Sequence, residues 1–239
     1  MTKTLGVIGG LGPLATAYFY ELITNMTDAV KDQDHIEILI HSKPSIPDRT
    51  AYILDNSKES PLPPIIVIGN ELASMGVDHI SIPCITAHCF YDELSRGIPV
   101  PIINGIRETV ETLKINGVKK AGIMATDGTI HSSLFQHELE GWGITPIVPT
   151  KIYQDYIMDL IYNCVKSSQP VDMEKFSKAS DHLRENGAEA IILGCTELSI
   201  IKRDYPIGLG YLDVMEVLAG ASILKSQGKL RRDIKILEL

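Results

Sequence analysis

The sequence predicts an α/β fold of two pseudosymmetric halves, each built on a parallel sheet, with a ligand cleft between them. Three observations predict it. Short, continuous apolar runs bounded by turn residues alternate with segments of helical period, the pattern of strands covered on both faces by crossover helices. A strand-and-turn pattern recurs: Leu5-Gly6-Val7-Ile8-Gly9-Gly10-Leu11-Gly12 matches Ala121-Gly122-Ile123-Met124-Ala125-Thr126-Asp127-Gly128. A second pair comes in the same order, Gly76-Val77-Asp78-His79-Ile80-Ser81-Ile82-Pro83-Cys84 with Gly187-Ala188-Glu189-Ala190-Ile191-Ile192-Leu193-Gly194-Cys195. The two offsets differ only by a short loop, and a cysteine closes the strand in both halves, which points to a duplicated unit.

Along the chain, residues 5–8 form a buried strand that runs into a glycine-rich turn. Pro13 suits the first turn of a helix reaching to about residue 30, because its missing N–H is not needed there. Residues 36–40 form a second strand, 64–75 a helix and 80–83 a third strand. Then come a helix over 106–115, a strand over 121–125, and helices over 133–140, 153–165 and 173–186. A strand at 190–193, a last one at 208–212 and a helix at 214–226 complete the chain. The expected division is residues 1–103 plus 208–239 as the first domain and 104–207 as the second.

Composition narrows the function classes. The 239 residues are 44% hydrophobic and 22% charged, ordinary for a soluble globular chain. A net charge of −8 argues against a nucleic-acid or anionic-membrane partner, either of which wants a basic face. No run approaches the ~20 apolar residues that span a bilayer. The start, Met1-Thr2-Lys3-Thr4-Leu5, enters a strand pattern without a basic segment and long apolar run before it. The expectation is a chain without a signal peptide, in a reducing cytoplasm, with its cysteines as thiols.

Four cysteines are present: Cys84, Cys89, Cys164 and Cys195. Cys89 and Cys164 read as structural, one beyond a turn and one inside a helix, since free cysteine is among the most buried residue types. A zinc site from Cys84, His88 and Cys89 fits no compact tetrahedral spacing, so no metal is expected. Cys84 and Cys195 differ, because both close a strand at its carboxyl end, where ligands bind in open α/β sheets. Two halves packed face to face bring both thiols to one cleft. Inverting the α-carbon of an amino acid needs a base on one face and an acid on the other, and a thiolate–thiol pair supplies both. The backbone N–H groups of 85–87 and 196–198 could begin helices there and stabilise an anion.

These residues resemble a known family. Gly9-Gly10-Leu11-Gly12-Pro13, Ile46-Pro47-Asp48-Arg49-Thr50, Pro83-Cys84-Ile85-Thr86-Ala87-His88 and Leu193-Gly194-Cys195-Thr196-Glu197-Leu198 together are similar to the aspartate/glutamate racemase family, in order and over nearly the whole chain. The resemblance implies a homodimer and racemisation of a small amino acid with no pyridoxal phosphate, metal or other cofactor. It makes Cys84 and Cys195 the two acid/base residues. It places Arg49 near the substrate carboxylate, a role suited to a guanidinium. It aligns Lys166 with a family lysine, on helical context alone. It adds Thr86 and Thr196 as hydroxyl donors or plain helix caps, the turn at Thr126 as a source of N–H groups, and Gly10 and Gly12 as further donors or simply a tight turn.

Ile85 departs from the family, which has asparagine after the first cysteine. Isoleucine offers no hydrogen bond and reshapes the pocket. Backbone donors alone could serve, the substrate could be less polar, or the chain could be a slow or repurposed member. Two other functions stay open: isomerisation of a small diacid on the same scaffold, and amino-acid binding without chemistry. The glycine-rich turn does not fit Gly-x-Gly-x-x-Gly, and no phosphate-binding Gly-x-x-x-x-Gly-Lys or Gly-x-Ser-x-Gly elbow is present, which disfavours dinucleotide, nucleotide and serine-hydrolase chemistry.

Overall fold

The computed structural model describes residues 3–239; the reading of the first two residues lies outside them. The first half opens with β1 (Leu5–Gly9), α1 (Pro13–Met26), β2 (Ile38–Ser42), α2 (Arg49–Leu54) and α3 (Leu62–Ser74). It continues with β3 (His79–Ser81), a 3-10 stretch (Ile85–Phe90) and α4 (Tyr91–Gly97). The second half holds α5 (Gly105–Ile115), β4 (Lys120–Met124), α6 (Asp127–His131), α7 (Leu134–Gly141) and β5 (Thr145–Ile147). After it come α8 (Lys151–Asp159), α9 (Met173–Glu185), β6 (Ala190–Leu193), α10 (Thr196–Asp204), β7 (Tyr211–Asp213) and α11 (Val214–Lys225).

Both sheets are parallel, and their orders correspond. The first runs β2-β1-β3 and the second β5-β4-β6-β7. Where the second sheet has β7 beside β6, the first has a single parallel bridge, Ile80 with Ile102, beside β3. The duplicated unit of the sequence is therefore visible in the strand order. Every residue of β1, β3, β6 and β7 is buried, as parallel strands covered on both faces must be. Leu5, Val7, Phe19, Ile23 and Leu218 pack one face of the first sheet, and Ile8, Ile65, Ile68, Leu72 and Ile80 the other.

Several elements differ from expectation for local reasons. α1 ends at Met26, about a turn early, because Thr27 turns extended and its hydroxyl donates to the Ile23 carbonyl at 2.6 Å. The second strand lies two residues later than expected, in register with β1 from Ile38 opposite Leu5. The helix expected over 153–165 is α only to Asp159; residues Leu160–Val165 form a π-helical stretch. The last strand is Tyr211–Asp213, and it joins the second sheet, not the first half to which residues 208–239 were expected to belong. α11, by contrast, packs against both α1 and α5, so the C-terminal segment is shared between the halves. Among the described residues no helix is long and apolar enough to cross a membrane.

Candidate active site

The site begins at the carboxyl ends of the central strands. After β1 the chain turns through Gly10, whose φ of +87° and close approach to Lys43 leave no room for a Cβ, which would lie 2.4 Å from the Lys43 nitrogen. Thr16 locks this turn: its hydroxyl accepts from the Gly10 N–H at 2.9 Å and donates to the Gly12 carbonyl at 2.9 Å. Pro13 then starts α1 at N1. Cys84 lies beyond β3 and caps the 3-10 stretch; Cys195 lies beyond β6 and caps α10.

Both thiols line one narrow cavity between the halves. The first half contributes Leu11, Asp48, Arg49, Thr50, Cys84, Ile85 and Thr86, and the second Thr126, Tyr162, Lys166, Cys195, Thr196 and Glu197. Gly10 and Gly12 line an adjoining, wider outer chamber of about 420 Å³, which shares Leu11, Asp48, Arg49, Lys166 and Glu197 with the inner cavity. Cys89 and Cys164 line neither. Cys89 instead donates to Ser132 at 3.2 Å, and burial pushes its thiol up to about 11. Among the described residues no group of three or more His, Cys, Asp or Glu side chains stands close enough together to hold a metal ion.

The surroundings of the two thiols differ. Arg49 is buried, donates to the carbonyls of Leu11 at 2.9 Å and Pro47 at 3.1 Å, and has a buried Nε without a partner among the described residues. Burial opposes its charge, but the Cys84 sulfur and the Asp48 carboxylate more than offset this, and the guanidinium is held positive. His88 braces Cys84 from behind, its Nδ1 3.1 Å from the Cys84 carbonyl. Burial keeps that imidazole neutral by pushing its pKa down.

Cys195 sits beside an acid. Its Sγ donates to Glu197 Oε2 at 2.9 Å, and the Thr196 hydroxyl donates to the same oxygen at 3.1 Å. Burial first, and the Glu197 charge second, push the Cys195 thiol well above the usual cysteine range, against the pull of Lys166. Lys166 stands just past the π-helical stretch. Burial disfavours its charge, yet Glu197 and Cys195 in particular hold its pKa up. Its Nζ lies 3.8 Å from Asp48 and 3.8 Å from the centre of the Tyr162 ring. Tyr162 in turn donates to Asp48 at 3.2 Å, closing a clasp across the cleft. The π turn, often found at functional sites, carries Tyr162 and leads into Lys166.

Thr86 and Thr126 meet across the same cleft. Their hydroxyls are 3.0 Å apart, and each lies 3.1 Å from Thr129. Three hydroxyls so placed can close as a ring, each donating once; the Thr129 N–H donates to Thr126 as well, at 3.3 Å, so Thr86 and Thr129 keep the acceptors a ligand can use. Ile85 is 2% exposed and turns part of its side chain into the apolar core with Ile106 and Val110. Sequence reading placed Thr129 only within the turn that follows Thr126, and missed the side chains of Asp48, Tyr162 and Glu197 as contributors. Asp48 and Glu197 had a signal, since each adjoins or nearly adjoins a predicted site residue within one of the family-like motifs. Tyr162 had none.

With this geometry in place, the chain can be set beside known proteins. Residues 8–221 match the family model described as Asp/Glu/Hydantoin racemase. The structure is similar to that of an aspartate racemase from Picrophilus torridus, with a TM-score of 0.80, 32% identity and 97% of each chain covered. It shares its fold with a glutamate racemase from Francisella tularensis at 18% identity and a TM-score of 0.67, covering 99% of this chain and 86% of that one. In sequence it is 26% identical over 228 residues to the broad specificity amino-acid racemase RacX of Bacillus subtilis (strain 168), covering 92% of this chain and 96% of the relative.

Proposed function

The chain belongs to the Asp/Glu/hydantoin racemase family and is an amino-acid racemase, and from that premise we propose that it works by a two-thiol exchange between Cys84 and Cys195, with aspartate, glutamate or both as its substrate. The observation that carries the reading is the single inner cavity lined by both cysteines together with the two cations Arg49 and Lys166.

The chemistry is a paired proton transfer. The Cys84 thiolate takes the α-proton from one face of the substrate, and the Cys195 thiol gives its proton to the opposite face of the α-carbon. Arg49, through its free Nε and fork geometry, binds the α-carboxylate, which gains negative charge as the α-proton leaves. Lys166 serves the side-chain carboxylate. The clasp of Tyr162 and Lys166 on Asp48 excludes water once substrate is bound. Thr86 and Thr196 orient the amino group as acceptors, with Thr126 holding Thr86 in place, and the Gly10 and Gly12 turn borders the substrate's exit.

Ile85 favours a second reading, in which the substrate carries a less polar side chain, since it puts a methyl surface where a donor would serve an acidic group. The relative described as a broad specificity amino-acid racemase supports testing both. A domain boundary near residue 103, a homodimer and a cytoplasmic setting belong to the same proposal. The test is incubation in D₂O, without added cofactor, with single enantiomers of aspartate, glutamate and a panel of neutral amino acids. Loss of the α-proton with inversion is expected; no exchange with any of them refutes the racemase mechanism.

A further inference from the structure

The two thiols hold the same place in the two halves, but their neighbours break that symmetry. Cys84 lies beside the Arg49 guanidinium. Cys195 donates its proton to a buried carboxylate two residues on, at 2.9 Å. We propose that Glu197 is a positioning residue that holds Cys195 as the thiol, so that Cys84 is the resting base and the enzyme has one preferred starting form. The inference rests on the two-thiol reading and names the resting state of that same site.

Glu197 is fixed for this task. It sits in the first turn of α10 and is 5% exposed, and the same Oε2 that accepts from Cys195 also accepts from Thr196. The charged and titratable groups sharing the cavity with Cys195 are Asp48 and Arg49 from the start of α2, Cys84 beyond β3, Tyr162 and Lys166 from the π-helical stretch and its end, and Glu197 itself. Of the neighbours that act on Cys195, Lys166 alone favours its thiolate by charge, and Glu197 acts more strongly against it.

The proton balance gives the consequence. Turnover from the resting form leaves Cys84 as thiol and Cys195 as thiolate, next to a second negative charge. Return moves one proton from Cys84 to solvent and one from solvent to Cys195. The enantiomer whose α-proton faces Cys195 needs the less stable form. Enantiomers interconvert with an equilibrium constant of one, so kcat/KM is equal in the two directions, and the inequality appears in kcat and KM singly.

The test reads the thiol directly. In the full chain with Cys84, Cys89 and Cys164 changed to Ser, Cys195 is the remaining thiol, and its ionisation is tracked by ultraviolet thiolate absorbance against pH. Glu197→Gln lowers the midpoint by about one pH unit or more, while Glu197→Asp, which keeps the charge, leaves it raised. In the companion chain that retains only Cys84, Glu197→Gln shifts the midpoint less. An unmoved Cys195 midpoint, or equal shifts of both thiols, overturns the proposal. The titration needs no turnover. If wild-type protein exchanges no α-proton, the racemase mechanism fails while the thiol partnership is still decided.

Discussion

Arg49→Ala tests the substrate-binding arrangement most directly. The side chain is 9% exposed and already spends two donors on backbone, at Leu11 and Pro47, which leaves the buried Nε for a ligand. A hydrogen bond to a charged group contributes about 1.5–3 kcal/mol, and about 1.4 kcal/mol corresponds to a factor of ten. Loss of the substrate contact therefore lowers kcat/KM by roughly 10- to 100-fold. The same substitution strips the donors from two carbonyls at about 1–3 kcal/mol each where water does not replace them, so stability falls as well, and a denaturant midpoint separates the two effects. Arg49→Lys keeps the charge but not the fork, so it recovers part of the activity and not all. Initial rates of inversion by chiral chromatography provide the assay. A folded Arg49→Ala protein within twofold of wild-type kcat/KM would refute the placement of Arg49 on the substrate.

Three further outcomes are expected. Cys84→Ser and Cys195→Ser each abolish inversion and leave thermal unfolding near wild type, because a hydroxyl is far too weak an acid to replace either thiol; full activity in either variant removes the two-thiol mechanism. Ile85→Asn raises kcat/KM for aspartate and costs about 1–3 kcal/mol of stability, since the amide enters apolar surroundings shared with Ile106 and Val110; no gain on aspartate means the missing donor is replaced elsewhere. Glu216 is pushed up to about 7 by burial and by Asp213, against its ion pair with Lys202 at 2.7 Å. A carboxyl raised in the folded state favours folding at low pH, so this contribution is lost as pH rises from the ordinary carboxylate range through about 7. Glu216→Gln flattens the stability profile over that window, and an unchanged slope in urea titrations counts against it.

What was legible in the sequence is what local pattern determines. Strands buried on both faces read as apolar runs, and the matched cysteines read as a repeat because each half keeps the same strand-to-turn geometry. The elements left unread are those that tertiary contacts define. β5 is three residues long and contains Pro146, tolerable because β5 is an edge strand with β4 on one side, but invisible as a strand signal. α2 has six residues and depends on the Asp48 side chain accepting from Ala51 at 2.8 Å. The π-helical stretch carries no sequence mark that distinguishes it from the end of an α-helix. At the site, residue types at strand ends were readable, whereas the clasp from Tyr162 to Asp48 joins positions far apart in the chain.

A repeat explains why two thiols face one cavity, and an unbroken symmetry would leave neither thiol preferred as the base. Two identical cysteines in identical surroundings would have equal affinity for a proton. Half of the singly protonated enzyme would then face either enantiomer with the wrong partner ionised. The duplicated backbone fixes only where the sulfurs stand, at the ends of β3 and β6. The segment beyond each strand is free to differ, and it does: a 3-10 stretch after Cys84, and a helix with Glu197 in its first turn after Cys195. Arg49 enters from α2 on one side and Lys166 from beyond the π turn on the other. Lys166 already faces Asp48 and Glu197, while Arg49 keeps a free donor. The fold thus supplies geometric symmetry, which inversion at carbon requires. The neighbouring charges are not symmetric: Arg49 stands beside Cys84, and Glu197 beside Cys195.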